Sequence, residues 1–233
     1  MPNHDDIYRE EAAQYHEMIA RQPNLLPVIE EIVPIEGLDI VDMGAGTGRL
    51  SVVLAPAAKS LVALDAAEAM LSITAERLQE GGLDNWSVQV ADHRELPLPD
   101  NSADLIVSGW SVCYLASSNV SDWERNLELV IGEIKRILRP GGTVILFETM
   151  GTGSETPSPP EFLLPYYRKL TEVYGFSHRW IRTDYEFADA EQAERLARFF
   201  FGDELGDRVA ADKLTRLPEC AGVWWLRKEG NLA

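Results

Sequence analysis

The sequence predicts an α/β fold in which a mostly parallel, doubly wound sheet lies between layers of helices. Three observations carry this expectation. Short apolar runs alternate with amphipathic helical segments across residues 38–148, an order that implies parallel strands joined by right-handed crossovers. The runs are nearly continuous in apolar character, as strands buried on both faces are. The first of them empties into Gly44-Ala45-Gly46-Thr47-Gly48, and open parallel sheets bind ligands at the carboxyl ends of their strands.

Taken in order, Tyr8, Ala12, Tyr15 and Met18/Ile19 fall at helical spacing within residues 8–20. A second short helix follows Asn24, carries Leu25, Val28, Ile29 and Ile32, and stops before Pro34. The two are either a packing pair or a lid. Strands are expected at residues 38–43, 60–65, 86–91, 104–108 and 143–148. A helix over 67–78 ends at Gly81-Gly82. The clearest helix spans 119–138, where Val120, Trp123, Leu127, Val130, Ile131, Ile134, Ile137 and Leu138 form one apolar stripe. Pro140-Gly141-Gly142 breaks it. Residues 151–160 read as a loop or hinge, followed by a helix over 162–174 and a strand over 179–187. Asp189 with Gln192 resembles a capping box for a helix running through Phe200. Residues 220–227 form a final strand.

At 233 residues, the length suits one sizeable domain. It divides into an N-terminal helical cap (1–36), a ligand-binding core (37–150), a substrate-side cap and insert (151–218) and a last strand (219–233). The formal charge of −17, from 21 Lys+Arg against 38 Asp+Glu, repels phosphate backbones and anionic membranes. Neither nucleic acid nor a membrane is therefore an expected partner. Cys113 and Cys220 offer neither a disulfide framework nor metal-ligand spacing, and no metal is expected. With no basic-then-apolar leader and no apolar stretch near the roughly 20 residues that span a bilayer, a cytoplasmic location is expected.

The glycine turn narrows the ligand. Glycines let the backbone turn sharply and let a ligand touch the main chain without interference from a Cβ. The dinucleotide pattern places its third glycine three residues after the second, where this chain has Arg49. No Gly-Lys-Ser/Thr follows, so the phosphate loop of nucleotide hydrolases is also excluded. Asp65 ends the next strand, where a carboxylate accepts both hydroxyls of a ribose or else caps a helix.

At these residues the sequence resembles the class I S-adenosylmethionine-dependent methyltransferases, and most of all their type 11 small-molecule subgroup. Asp42-Met43-Gly44-Ala45-Gly46-Thr47-Gly48 is similar to the family's first motif, and Leu64-Asp65 to its acidic second-strand end. Ala91-Asp92 with Leu96-Pro97-Leu98-Pro99-Asp100 resembles the adenine segment, and Leu138-Arg139-Pro140-Gly141-Gly142 the turn before strand five. The resemblance implies a Rossmann-like three-layer sandwich whose last strand inserts antiparallel beside strand five. It also implies S-adenosyl-L-methionine as cofactor. Gly44, Ala45 and Gly46 would lie along the methionine portion, with Asp42 near its amino group. Asp65 would grip the ribose, Ala66 or Met70 would lie against adenine, and Asp92 and His93 would address the adenine ring. Ser108 and Trp110 would pass beneath the sulfonium, although Trp110 is equally a core residue.

The implied activity is methyl transfer to O, N or C of a small metabolite. Alternatives are a non-catalytic cofactor-binding or scaffolding protein, and an enzyme using a modified sulfonium. An in-line displacement from a sulfonium gains most from alignment and water exclusion. A general base matters only when the acceptor must lose a proton, and His16, Glu148 and His178 are the candidates. Tyr8, Tyr15 and Arg21 are lid candidates, and Cys113 lies near the expected pocket mouth; packing is the alternative for each. The absence of Asn/Asp-Pro-Pro-Tyr after strand four and of a Pro-Cys pair argues against nucleic-acid base methylation. About thirty residues separate Phe187 from Cys220 where related enzymes have a short hairpin. This insert, with Phe199-Phe200-Phe201, is expected over the pocket or on a partner surface.

Overall fold

The computed structural model describes residues 4–230. The first three residues of the 1–36 cap and the last three of the 219–233 segment lie outside the described residues. Strands β1 (Asp39–Met43), β2 (Ser60–Asp65), β3 (Trp86–Val90), β4 (Ala103–Gly109) and β5 (Leu138–Thr152) pair in parallel. Beyond β5, β6 (Ser177–Arg182) and β9 (Glu219–Arg227) complete a seven-stranded sheet of order β3-β2-β1-β4-β5-β9-β6. β9 runs antiparallel to both β5 and β6. β7 (Tyr185–Glu186) and β8 (Arg216–Leu217) form a separate two-stranded ribbon.

Ten α-helices and one 3-10 turn (Glu161–Leu163) flank these strands among the described residues. The α-helices are α1 (His4–Glu10), α2 (Ala12–Ile19), α3 (Leu26–Glu30), α4 (Ser51–Leu54), α5 (Glu68–Glu80), α6 (Cys113–Ala116), α7 (Trp123–Ile137), α8 (Leu164–Glu172), α9 (Ala190–Phe201) and α10 (Asp203–Asp212). Because strand side chains alternate, β4 and β5 build two cores from one sheet. Ile106, Val144 and Leu146 meet Leu127, Ile131 and Ile134 of α7 and Tyr166 of α8. Leu105, Val107, Ile145 and Phe147 face the other way, toward Ile29, Leu54, Leu71 and Leu78. A third cluster lies above the sheet, where Met18 and Ile19 of α2 pack with Tyr185, Leu196 of α9 and Val209 of α10.

Several expected boundaries shift for local reasons. The 8–20 helix is two helices, α1 and α2. The long helix begins at Trp123 rather than 119, because Asp122 sits at φ 55° in the left-handed region. Pro140-Gly141-Gly142 does not end the pairing. Leu138 pairs with Ala103, a bulge follows, and pairing resumes at Thr143, while Gly141 and Gly142 bond to Lys228. The single strand expected over 179–187 is broken at Asp184, whose carboxylate receives Arg182 at 2.7 Å and Arg216 at 2.6 Å and turns the chain into the ribbon. The α9 cap is a shifted box: Asp189 accepts from Gln192 N, and Gln192 accepts from Ala188 N.

Candidate functional site

The glycine turn is held from three sides. Gly44 N and Ala45 N both donate to Leu64 O, at 2.7 and 2.9 Å. Helix α5 takes the turn's carbonyls: Thr74 donates to Gly46 O and Arg77 to Thr47 O. Asp65 supplies the third tie, accepting from Gly46 N at 2.8 Å on one oxygen and Ala67 N at 2.9 Å on the other. Its remaining lone pairs stay free for a ligand, since an ionised carboxylate has about four acceptor sites. Asp65 does not cap α5, whose N-cap residue is Ala67; it ties the turn ahead of the helix and remains a candidate ligand.

Gly44 and Gly46 lie at φ +81° and +55°, a region costly for any residue with a Cβ. A Cβ on Gly44 would fall inside the Ser111 hydroxyl, whereas one on Gly46 would enter open space beside Tyr15. Ser111 Oγ is bonded to His93 Nε2 at 2.7 Å, which leaves buried His93 Nδ1 without a partner. Burial lowers the His93 pKa, so its ring is the neutral form at pH 7. Asp42 accepts from Ser51 at 2.7 Å while its other oxygen is buried and unpartnered, and burial raises it to about 7. The Arg94 guanidinium grips Asp92 and holds it down at about 2.

Two cavities open over these groups. The first, about 690 Å³, is lined by Gly44, Gly46, Asp65, Ala66, Met70, Asp92, His93 and Trp110. The second, about 580 Å³, reaches Asp42, Ala45, Arg49, Cys113, Thr149, Tyr185, Phe200, Phe201 and Glu219. Gly44, Gly46, Gly109, Trp110, Tyr8, Tyr15 and Tyr114 border both. Trp110 directly follows β4 at φ 50°, a strained conformation for an aromatic residue of the kind that clusters at functional sites.

An aromatic cap closes the common wall. Tyr8 and Tyr114 share a 2.5 Å hydroxyl contact, and His4 bonds Tyr114 and Phe200 O. His4 stacks on Phe200 at 4.4 Å, and Tyr15 lies 5.2 Å from Tyr8 and 5.5 Å from Phe200. The insert that follows Phe187 therefore packs over the cavities through Phe200 and Phe201.

The base candidates are not brought together. His16 bonds Thr47 at 3.0 Å behind the glycine turn. His178 stacks on Trp224, away from both cavities. Glu148 is buried, receives Cys113 N and Tyr166, and is raised to about 7 by burial. It sets the start of α6, which carries Cys113 and Tyr114 to the cavity walls. Arg21 and the buried, unpartnered hydroxyl of Ser108 line neither cavity. Sequence reasoning missed Ser111, Tyr114, Thr74, Arg77 and Glu219. Of these, only Thr74 and Arg77 carried a usable signal, one helical turn apart on the helix after Asp65. Arg49 was noticed only as the residue that breaks the dinucleotide pattern.

Among the described residues no helix is long and apolar enough to cross a membrane, and no cluster of three or more His, Cys, Asp or Glu is placed to hold a metal. A family model described as a methyltransferase domain matches residues 41–146. The chain is 39% identical over 115 residues to a malonyl-[acyl-carrier protein] O-methyltransferase of Methylococcus capsulatus, which covers 48% of this chain and 37% of that protein. It is 32% identical over 117 residues to a demethylmenaquinone methyltransferase of Clavibacter sepedonicus, covering 50% and 43%. The match thus spans less than half the length of these curated relatives. In fold the chain is similar to the YcgJ protein of Bacillus subtilis, with a TM-score of 0.62 at 16% identity over 93% of this chain and all of that one.

Proposed function

We propose that the chain, whose residues 41–146 match a methyltransferase domain, is a class I S-adenosylmethionine-dependent methyltransferase of the type 11 kind that methylates O, N or C of a small metabolite. The observation that carries this reading is the common wall. A cavity lined by Gly44, Gly46, Asp65 and His93 meets a second, largely apolar one at Gly109 and Trp110. Both have volumes in the range of small-molecule sites, roughly 300–1,000 Å³. Segments 1–36, 37–150, 151–218 and 219–233 are read as one functional domain. The two unpaired cysteines and the −17 charge support a cytoplasmic location and a partner that is neither nucleic acid nor membrane.

The residues of the first cavity, with Asp42 and Ala45 of the adjoining one, fit the cofactor. Gly44 and Gly46 leave main chain open where a Cβ would intrude, Asp65 keeps free lone pairs, and His93 Nδ1 and one Asp42 oxygen have no protein partner. Asp65 would hold the ribose hydroxyls, with Ala66, Met70, Asp92 and His93 at the base and Asp42, Gly44, Ala45 and Gly46 along the amino-acid end. Ser108 would support this end of β4 from behind, and Trp110 would form the floor between the two cavities. When bound, the cofactor supplies a methyl group activated on a sulfonium. The protein's share is to align the acceptor and exclude water. Tyr8, Tyr15, Tyr114 and Phe200 do this as a cap. His16, Glu148 and His178 line neither cavity, which favours catalysis by alignment over catalysis by any of these three as base.

Native mass spectrometry of the purified full chain, followed by calorimetry with S-adenosylhomocysteine, tests the reading. Stoichiometric binding is expected. A chain that binds neither cofactor nor product contradicts it.

A further inference from the structure

The second cavity contains a cation that pairs with no counter-ion among the described residues. Arg49 is part-buried and lines this cavity, and its guanidinium lies over the Trp110 ring at 4.4 Å. Its hydrogen-bond partner is neutral: Nη1 donates to Gln22 Oε1 at 2.6 Å. Nη2 is buried with no partner, and Arg49 forms no ion pair among the described residues. A charge withdrawn from water without a counter-ion is strongly disfavoured, and such groups concentrate at binding sites.

Of the two acidic groups on this cavity, Asp42 is bonded to Ser51 and neither it nor Glu219 pairs with Arg49. Glu219, at the start of β9, accepts from Thr149 at 3.0 Å on one oxygen, and its other oxygen is buried and unpartnered. Arg49 and Glu219 influence each other electrostatically without contact. Tyr15 of α2 and Tyr185 of β7 line the same cavity, and Asp184 accepts from Glu219 N at 3.1 Å.

We infer that Arg49 receives the carboxylate of an apolar acid bound in the second cavity, so that the substrate of the proposed methyltransferase is a monocarboxylate with an apolar body. A planar guanidinium offers paired donors to a carboxylate. One such cation balances one negative charge, whereas a phosphate dianion would keep an uncompensated second charge. The rest of the wall, including Met18, Ile19, Phe200 and Phe201, suits a hydrocarbon or aromatic body. The inference rests on the functional reading above, but its test is separable from it.

Benzoate is the probe, with benzamide as its uncharged counterpart, titrated calorimetrically into the full chain at pH 8 with and without S-adenosylhomocysteine. The expected result is saturable benzoate binding, at least tenfold tighter than benzamide and at least tenfold weaker in Arg49→Met. Absence of saturable benzoate binding, or equal affinity in Arg49→Met, overturns the inference. Glu219 is raised to about 7 by burial and is largely ionised at pH 8. Glu219→Gln removes that competing charge and should tighten benzoate at least threefold; unchanged or weaker binding counts against the inference even if Arg49→Met fails to fold. S-adenosylhomocysteine and methylthioadenosine, which lacks the amino-acid carboxylate, form the last arm. Arg49→Met should bind both as the wild type does. A tenfold loss confined to S-adenosylhomocysteine would show that Arg49 serves the cofactor's own carboxylate, and the inference would fall. Failure of the wild type to bind S-adenosylhomocysteine overturns the methyltransferase reading alone, because benzoate is also titrated without it.

Discussion

The two cavities share a wall but are built in opposite ways. Most of the first comes from one continuous stretch, Gly44 to Leu115, in which each strand end delivers its residue to the next. The second collects side chains from α1, α2, the glycine turn, β5, the 151–163 segment, β7, α9 and β9, over more than two hundred residues of chain. A site made from consecutive strand ends is fixed by the sheet register. A site made from distant pieces is fixed only when the cap packs. The first should therefore fail through changes to single backbone positions, and the second through changes to packing.

The largest effect is expected at Gly44. Gly44→Val places a branched side chain at φ +81° and inside the Ser111 hydroxyl, so S-adenosylhomocysteine binding should vanish while the far-ultraviolet circular dichroism stays that of the wild type. Thermal stabilisation of this variant by the ligand would contradict the placement of the turn. Gly46→Val should also abolish binding, by occupying open space beside Tyr15 rather than by clashing with protein.

Asp65→Ala comes next. It removes hydrogen bonds to a charged group and should cost about 1.5–3 kcal/mol of cofactor affinity. Because Asp65 also ties Gly46 N and Ala67 N, Asp65→Asn, which keeps one acceptor, should lose less. Equal affinity of wild type and Asp65→Ala by calorimetry would remove Asp65 from the site.

Phe200→Ala probes the other kind of wall. The ring stacks on His4 and packs near Tyr15 and Phe201, so its loss should destabilise the fold by about 2–3 kcal/mol in urea unfolding. Cofactor affinity should change by no more than about 0.5 kcal/mol. A large loss of affinity would mean that the cap and the first cavity are one unit.

The difference between the two walls also decides what the sequence revealed. The sheet, the turn and Asp65 were legible because periodicity, glycine spacing and a strand-end carboxylate are local signals. Asp92 and His93 entered only through the family resemblance, and the structure brings both to the wall of the first cavity. Glu219 was not readable: it reaches the second cavity only because β9 inserts beside β5 and Asp184 breaks the preceding strand. The Tyr114–Tyr8 contact joins residues 106 positions apart, and no spacing rule anticipates it. Ser111 escaped because its importance comes from Gly44, whose missing Cβ makes room for it. The long helix was placed four residues early because nothing in the sequence marks Asp122 as left-handed.

A smaller effect should appear in the pH dependence of stability. Burial raises Glu148 from near 4.5 to about 7. The folded chain therefore holds its proton over a range where the unfolded chain has lost it, and stability falls as pH rises from about 4.5 to about 7. Glu148→Gln keeps an acceptor for Cys113 N, removes this dependence and should be more stable at pH 8 by about 1–3 kcal/mol. Urea unfolding at pH 5.5 and 8 checks it; a variant less stable than wild type at both values would mean that the charge itself holds α6.

Hydrogen exchange with and without S-adenosylhomocysteine tests the central claim most directly, because it reads both cavities in one measurement. Slower exchange is expected at residues 42–48, 65–70, 92–94 and 108–111, and in α1 and α2 as the cap orders over the ligand. Residues 149–152 and 217–220 should be unchanged. Protection of those two segments with no change at the glycine turn would place the cofactor in the second cavity, and contradict the division of labour proposed for this fold.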